Sequence, residues 1–416
     1  MRQAIEALEG SKIRQVVNAA LGQPDVLRFW FGESDEITPQ VVRDAAAASL
    51  AQGETFYNFN LGLPELRDAV AAYMARLHPN PALPITAERI AITSSGVSAL
   101  MLATQALVDA GDEVLAVTPI WPNLIQQSVI MGARLRAMPL TPVNGEWTLD
   151  VAELCAAITP ATRMLIVNAP NNPTGWTLSR AEQQIILEHC RKTGTWILAD
   201  EVYERVYYEP TDPAPGRPKP GAPLGGDARS ASGGAGDICA PSFLDLAQPG
   251  DRLVVAHSFS KTFLMTGWRL GWLVLPPDMT QHISKLIEFN TSCAPTFVQR
   301  AGLTALQHEN EITPPLVAHF RKCRDILVPL LQAVPGLQVQ PARGGMYAFF
   351  RLEGHDNSLE LAKRLVTEAG LGLAPGSAFN PVGPPVGEGW MRWCFASRDP
   401  QRLALGVERL RGWMGI

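Results

Sequence analysis

Six short apolar runs alternate with stretches of helical pattern along much of the chain. The runs lie at 89–93, 113–117, 163–168, 196–200, 253–259 and 271–275. They are rich in aliphatic residues and lack the period-two alternation of a sheet that has one face in water, so they indicate strands buried on both faces. Strand–helix alternation over residues 89–275 predicts an α/β fold with a mostly parallel β-sheet sandwiched by helices.

The helical stretches between these strands include residues 98–111 and 179–194. In the second stretch, Ser179 and Glu182 have the spacing of a capping box, and Gly194 is a typical C-terminal stop. These signals predict a helix between them.

After about residue 290 the pattern changes. Helical stretches at 295–308 and 312–334 come first, and strand candidates follow. The strand candidates are 337–340, 346–352 and 390–396. This order predicts a smaller α+β domain.

A chain of 416 residues usually divides into two domains. We expect a large domain over 48–289 and a small domain built from 1–47 and 290–416. The segment 210–236 holds 13 Gly or Pro among its 27 residues, and Leu224 is its only large aliphatic side chain. Such a segment buries too little apolar surface to order itself, so we expect a mobile surface insertion.

Composition and charge exclude several classes of protein. The net charge is −5 with no Lys/Arg block, which argues against nucleic acid or an anionic membrane as the main partner. The N-terminal segment has no apolar core of signal-peptide length, and no apolar run approaches the ~18 residues of a membrane span. The six cysteines form no CxxC pair and the seven histidines form no HExxH. We therefore expect reduced thiols, no metal site and a cytoplasmic location.

The turn at 93–100 follows one strand and opens a helix. Its small residues and free backbone N–H groups at a helix N-terminus favour an anion such as phosphate. No GxGxxG or GxxxxGK[ST] motif occurs, so neither a Rossmann fingerprint nor a P-loop is predicted. Taken alone, the segment fits an ordinary N-cap turn better than a phosphate site.

Three further clusters close predicted strands. Residues 168–175 (Asn-Ala-Pro-Asn-Asn-Pro-Thr-Gly) also fit a plain turn, and the carboxylate of Asp200 could cap a helix or pair with a buried cation. Lys261 ends an apolar strand, where partial desolvation lowers the pKa of a lysine and favours imine chemistry. A lone lysine at such a place is more often a surface residue.

The four strand ends face one edge of a parallel sheet, which is where α/β proteins bind ligands. Together they offer a phosphate site, an imine-forming amine, a carboxylate and a phenol. That combination matches the requirements of pyridoxal 5′-phosphate, which needs a phosphate anchor, an imine partner, a partner for its pyridinium nitrogen and donors to its phenolic oxygen.

The chain resembles the class I/II aminotransferases of fold type I. The motifs that carry the resemblance are NNPTG at 171–175, DEVY at 200–203 and SFSKTFLMTGWRLG at 258–271. Ser34 replaces the proline of the family's usual G-E-P-D pattern, and the insertion at 210–236 is a second departure. The resemblance implies a large domain with a seven-stranded type of sheet and pyridoxal 5′-phosphate as the cofactor.

The resemblance also implies roles for individual residues. Lys261 would form the imine with the cofactor and then move the α-proton of the substrate. Asp200 would pair with the pyridine nitrogen, and Asn172 and Tyr203 would hydrogen-bond the phenolic oxygen of the ring.

At the phosphate end, Val97 and Ser98 would hold the phosphate, with Ser258 and Arg269 closing over it. Trp121 occupies the family's ring-stacking position, and its alternative is an ordinary core tryptophan.

Further residues complete the site that the resemblance implies. Arg392 would clamp the substrate α-carboxylate, and Gly32 and Asn172 would approach the same group. Tyr57 would reach the cofactor phosphate of a neighbouring subunit, so the resemblance implies a homodimer.

The leading interpretation is transfer of an amino group between an L-amino acid and a 2-oxo acid. A carbon–sulfur lyase or decarboxylase on the same scaffold is the alternative, because it would share the same lysine, aspartate and tyrosine. A cofactor-sensing regulator is disfavoured, since the 31 residues before Gly32 are too few for a winged-helix domain and the net charge is acidic.

The amino donor stays open. A dicarboxylate-specific enzyme would need a second arginine, which the sequence does not place. Trp30, Phe31 and Trp121 near the predicted cleft favour apolar or aromatic side chains.

Overall fold

The computed structural model describes residues 1–143, 145–209, 238–380 and 387–416. The predicted insertion at 210–236 lies outside these residues. Within them, no helix is both long and apolar enough to cross a membrane.

The described residues form helices and strands in the following order. The helices are α1 (Gln3–Glu6), α2 (Lys12–Ala19), α3 (Gln40–Ala51), α4 (Pro64–Leu77), α5 (Gly96–Leu107), α6 (Pro122–Met131), α7 (Val151–Ala157), α8 (Arg180–Thr193), α9 (Phe259–Thr262), α10 (Thr280–Asn290), α11 (Thr296–Gln307), α12 (Glu309–Gln332), α13 (Ser358–Glu368) and α14 (Gln401–Met414). The strands are β1 (Leu27–Arg28), β2 (Ile90–Thr93), β3 (Glu113–Thr118), β4 (Arg134–Pro139), β5 (Thr141–Val143), β6 (Glu146–Thr148), β7 (Thr162–Asn168), β8 (Trp196–Asp200), β9 (Leu253–Ser258), β10 (Gly271–Val274), β11 (Leu337–Val339), β12 (Tyr347–Leu352), β13 (Leu371–Gly372), β14 (Ala374–Pro375) and β15 (Trp390–Cys394).

The central sheet has seven strands in the order β2-β10-β9-β8-β7-β3-β4. All six predicted apolar runs are strands of this sheet, and the α/β prediction is confirmed. Strand β4 was not predicted, because arginines alternate with apolar residues along this exposed edge strand. On α8, the capping box of Ser179 and Glu182 is present and Gly194 ends the helix in the left-handed conformation.

Both faces of the central sheet are buried. On β3, Val114 and Ala116 pack into one core cluster, while Leu115 and Val117 pack into the cluster on the opposite face. This two-sided burial explains why the strand sequences show no alternation of apolar and polar residues.

One strand of the sheet runs against the others. Strand β10 is antiparallel to both β2 and β9, so β2 and β9 still point the same way. A Cβ at Gly271, where β10 begins, would lie 2.6 Å from the backbone nitrogen of Gly96, so this close approach requires glycine. The carboxyl ends of β2, β3, β7, β8 and β9 consequently meet at one edge.

A second sheet has four strands in the order β11-β12-β15-β14, and its neighbouring strands are antiparallel. Its core includes residues of α2, α13 and α14. The parallel pairing of β1 with β13 joins the N-terminal segment to this region. Helix α11, by contrast, buries Val298, Ala301 and Ala305 in the core of the central sheet. The domain boundaries at 47/48 and 289/290 stay a prediction.

Candidate active site

A cavity of about 390 Å³ opens at the carboxyl edge of the central sheet. It brings together ten of the residues that the sequence singled out. These are Gly32, Val97, Trp121, Asn172, Asp200, Tyr203, Ser258, Lys261, Arg269 and Arg392.

Lys261 lies in the short helix α9 that follows β9, and Ser258 caps this helix by accepting a hydrogen bond from the N–H of Ser260 at 3.1 Å. The Lys261 amine donates a hydrogen bond to the carbonyl of Gly32 and lies 5.8 Å from the centroid of the Tyr203 ring. Burial lowers the pKa of Lys261 to about 8, because the charged amine loses hydration.

Asp200 is the last residue of β8, and its side chain is buried. Burial raises the pKa of this carboxyl to about 7, although the N–H of Val202, which donates to Oδ1 at 3.3 Å, and the charge of Lys261 both act in the opposite direction. The site therefore favours a positively charged group beside Asp200, because a cation would stabilise the ionised carboxylate.

Two buried tyrosines meet at the centre of the cavity. The hydroxyl oxygens of Tyr203 and Tyr347 lie 2.5 Å apart, and their rings cross at 80°. Burial, together with the neighbouring Tyr347, raises the pKa of Tyr203 well above its ordinary value. Tyr203 is therefore a neutral hydrogen-bonding group at neutral pH.

Arg392 comes from β15 of the second sheet and is only 2% exposed. One Nη donates to Oδ1 of Asn172 at 2.9 Å, and the other donates to the carbonyl of Trp30. Its guanidinium carbon lies 4.5 Å from the Tyr347 ring centroid and 4.7 Å from that of Phe379. No hydrogen-bond partner for its Nε occurs within the described parts of the chain.

Gly32 lies against the same group of aromatic residues. A Cβ at this position would overlap the hydroxyl of Tyr347, so no other residue fits there without displacing that tyrosine. The absence of a side chain leaves the backbone carbonyl of Gly32 open to the amine of Lys261.

The N-terminus of α5 forms the opposite end of the cavity. Ser95 caps the helix with a φ of +123°, an unusual value for a residue that carries a Cβ. Gly96 and Val97 line the cavity beside Ser258, and the exposed guanidinium of Arg269 lies at its rim. A helix N-terminus with an arginine and hydroxyls around it suits a phosphate.

Two of the predicted residues do not line the cavity. The backbone N–H of Ser98 donates to the hydroxyl of Ser95 at 3.1 Å, so this amide is already used by the cap. Tyr57 is 90% exposed and borders a separate groove with Arg67 and Ser284. The roles assigned to both residues stay predictions.

A model of the family described as aminotransferase class I and II matches residues 24–410 of the chain. The chain belongs to this family. Members of the family use pyridoxal 5′-phosphate and act on amino acids and 2-oxo acids. The predicted family and enzyme class are thereby confirmed.

Relatives and solved structures agree with this membership. The aspartate aminotransferase of Pyrococcus horikoshii is 30% identical to this aminotransferase over 406 residues, covering 97% of this chain and 94% of the relative. The aromatic-amino-acid aminotransferase 2 of Thermococcus litoralis is 28% identical over 409 residues, covering 98% and 96%. The crystal structure of aspartate aminotransferase from Thermotoga maritima covers 100% of both chains with a TM-score of 0.84 at 27% identity.

The cavity of this aminotransferase is also lined by residues that the sequence analysis missed. Ile13 and Arg14 of α2 line it, although they lie far from every motif in the chain. Tyr347 belongs to none of the motifs singled out in the sequence, and it is the hydrogen-bond partner of Tyr203. The sole signal for α2 is a short amphipathic pattern after Ser11, which caps the helix.

A buried ionic network lies outside the lining of the cavity. His78 contacts Oδ1 of Asp245 at 3.1 Å and Oε2 of Glu204 at 3.2 Å through its two ring nitrogens. Burial alone would lower the pKa of His78, but the two carboxylates outweigh it and raise the pKa well above its ordinary value. Glu201 accepts a hydrogen bond from the hydroxyl of Ser242 at 2.6 Å, and burial raises its pKa to about 8.

Proposed function

We propose that this aminotransferase binds pyridoxal 5′-phosphate in the cavity and uses it to exchange an amino group between an L-amino acid and a 2-oxo acid. The observation that carries the proposal is the convergence of Lys261, Asp200, Tyr203 and Arg392 with the N-terminus of α5 in one cavity. When bound, the cofactor would supply an electron sink for the α-carbon of the substrate.

The phosphate end of the cavity fits the cofactor's phosphate. The backbone amides of Gly96 and Val97 make no hydrogen bond within the described residues, and the dipole of α5 favours negative charge there. Arg269 and Ser258 would contribute a guanidinium and a hydroxyl. A Cβ at Gly96 would lie 3.0 Å from the Cβ of Ser258, so the small residue keeps these groups close.

The ring end of the cavity fits as well. Asp200 would hold a protonated pyridine nitrogen, and the pair would lower the pKa of Asp200 from its present value near 7. Asn172 and the hydroxyl of Tyr203 would donate hydrogen bonds to the phenolic oxygen. Trp121 lines the cavity where its indole could cover the ring.

Lys261 would move the proton. Its pKa near 8 means that about a tenth of the amine is neutral at pH 7, far more than for an ordinary lysine, so it can accept the α-proton of a bound substrate and return it elsewhere. Arg392 would orient that substrate by binding its α-carboxylate through two N–H groups. Binding of the carboxylate would replace the hydrogen bond that Arg392 now donates to Asn172.

We also propose a homodimer and a cytoplasmic location. Phe56, Tyr57, Phe59 and Phe289 are 84%, 90%, 64% and 84% exposed, and we call them the aromatic patch. A hydrogen bond of 3.2 Å between Asn60 and Glu288 joins the two segments that carry the patch. Exposed apolar surface of this kind marks an interaction site, and a second copy of the chain would cover it. All six cysteines are free, which suits a reducing compartment.

Reduction of the holoenzyme with borohydride tests the proposal. We expect peptide mapping to find the reduced cofactor on Lys261, and keto-acid exchange with a panel of amino acids to show transamination. Lys261→Ala should abolish exchange while retaining noncovalent cofactor, because the phosphate contacts remain. Labelling of another lysine, or purified protein that cannot be loaded with the cofactor, would contradict the proposal.

A further inference from the structure

One cationic side chain in the cavity has no role in the mechanism above. Arg14 lines the cavity from α2, and its guanidinium carbon lies 5.7 Å from the centroid of the Phe31 ring. The backbone of Arg14 takes part in the helix cap, but its side chain makes no hydrogen bond or ion pair with any residue that the structure describes.

The segment 30–32 connects this arginine to the reacting groups. The carbonyl of Trp30 accepts a hydrogen bond from Arg392, and the carbonyl of Gly32 accepts one from Lys261. The ring of Phe31, between these two carbonyls in the chain, is the ring that faces Arg14. The three cationic side chains are therefore held around one short stretch of backbone.

The packing of helix α2 fixes the backbone of Arg14 beside the cavity. Ile13 and Val16 are buried and pack into the core of the second sheet. Lys12, at the start of the helix, donates a hydrogen bond to the carbonyl of Ser377 at 3.3 Å. The position of the Arg14 backbone is therefore set by packing, while its exposed side chain remains free to reorient.

The other cationic side chains of the cavity already have a ligand group to bind, which leaves Arg14 without one. In the proposed function, Arg269 serves the phosphate, Arg392 serves the α-carboxylate and Asp200 serves the ring nitrogen. Glu33, the other carboxylate that lines the cavity, accepts a hydrogen bond from Thr266 at 3.2 Å.

We infer that Arg14 binds the side-chain carboxylate of a dicarboxylic amino acid and of the matching 2-oxo acid. This inference rests on the proposed function and names its substrate class. A guanidinium binds a carboxylate through two parallel N–H groups, and an exposed contact with one aromatic ring is weak enough to be replaced by that pair.

The apolar lining offers the opposite specificity. Leu100, Trp121 and Val202 also line the cavity and could contact an apolar side chain. However, an apolar side chain in contact with Arg14 would remove water from the guanidinium without offering it a partner. The two specificities therefore predict opposite effects when the charge of Arg14 is removed.

Kinetics of the holoenzyme provide the first test. Arg14→Met should lower kcat/KM for aspartate and glutamate by about 10- to 150-fold, mainly through KM, which is the range of a charge-assisted hydrogen bond. The values for leucine and phenylalanine should stay the same or rise. Lys12→Met, which removes a charge from the same helix outside the cavity, is the matched control and should leave the preference unchanged.

Calorimetric titration provides a readout that is independent of turnover. Succinate and butyrate have the same chain length, and a methyl group in butyrate replaces the second carboxylate. The holoenzyme should bind succinate more tightly than butyrate, Arg14→Met should remove the difference, and Arg14→Lys should restore part of it. Equal affinity in the unmodified protein, or a preference that survives in Arg14→Met, would overturn the inference.

The outcomes separate this inference from the proposed function. If the enzyme exchanges amino groups on apolar amino acids and ignores dicarboxylic ones, the role of Arg14 is wrong and the proposed function stands. If no amino acid reacts and no cofactor attaches to Lys261, the proposed function fails. Retention of the cofactor spectrum by each variant shows that the variant is folded.

Discussion

Burial acts on Lys261 and Asp200 in opposite directions. It lowers the pKa of the amine to about 8 and raises that of the carboxyl to about 7, because each charged form loses hydration. The two groups therefore change protonation close to neutral pH, although an exposed lysine and an exposed aspartate titrate far apart.

Capture of the cofactor by the cofactor-free protein should depend on pH through Lys261. The neutral amine is the nucleophile, so the rate of covalent capture should rise with pH and level off above about 8. Rapid mixing with pyridoxal 5′-phosphate at pH 6 to 10, followed by absorbance, measures this rate.

Lys261→Ala is the control for this experiment, because it should give only noncovalent binding. A rate that keeps rising to the pKa of an ordinary lysine near 10.4 would show that burial does not tune this amine.

At the scale of elements, residues 200–204 at the end of β8 contribute both to the cavity and to the buried groups outside its lining. Asp200 and Tyr203 line the cavity, whereas Glu204 lies in the ionic network and Glu201 accepts a hydrogen bond from Ser242. The end of β9 likewise contributes to both regions. His257 stacks on Trp272 within the core, and Ser258 lines the cavity. The network therefore supports the strand ends that present the site.

Glu201→Gln should stabilise the protein near neutral pH. The pKa of Glu201 is about 8 in the folded state and near 4.5 in the unfolded state, so folding keeps a proton on this carboxyl that the unfolded chain releases. Its contribution to stability is therefore present below about pH 4.5 and is lost as pH rises to about 8. Glutamine removes this titration, and the gain at pH 7 should be about 1–3 kcal/mol.

Urea unfolding at pH 5, 7 and 8.5 measures the effect, and the gain should grow with pH. Glu54→Gln is the control, because hydrogen bonds from Arg300 lower the pKa of Glu54 and its removal should give no gain at pH 7. Equal pH dependence of Glu201→Gln and the unmodified protein would show that Glu201 is ionised in the folded state.

Local signals predict several elements well and others poorly. Strand β8 matches its predicted range, and α8 has its predicted cap, because apolar runs and capping residues act within a few positions of the chain. The antiparallel direction of β10 could not be predicted in this way. Its apolar sequence resembles that of the parallel strands of the same sheet, and its direction depends on the path of the connections on either side.

At the scale of the whole molecule, the proposed homodimer predicts that the active site needs two chains. Tyr57 is too exposed to act within its own chain's cavity and does not line it. If a second copy covers the patch, we expect the Tyr57 hydroxyl to bind at the partner's phosphate-binding end.

Subunit complementation tests this arrangement. Lys261→Ala and a bulky Tyr57→Trp variant, each inactive by itself, should form heterodimers in which one site carries both lesions and the other carries none. Up to half of the normal activity per heterodimer should return. Mixing Lys261→Ala with Arg392→Ala should restore nothing, because both residues line one cavity of one chain. If the first mixture recovers no activity although its subunits have exchanged, Tyr57 does not act in the partner's site.

The sequence by itself determined the α/β architecture, the family and the identity of ten residues that line the cavity. These features depend on local patterns and on motifs that close adjacent strands, and parallel strands bring their carboxyl ends together wherever the pattern occurs. The identity of Lys261 and Asp200 and the lowered pKa of Lys261 followed from such motifs, although the raised pKa of Asp200 did not.

Only the tertiary structure decided what meets these strand ends from the rest of the chain. Arg14 reaches the cavity because Ile13 and Val16 bury one face of α2 in the second core, and Tyr347 reaches Tyr203 because β12 and β15 pair in that sheet. No local pattern encodes such contacts. They arise because the core of the second sheet packs beside the carboxyl edge of the central sheet, and this packing depends on the whole chain.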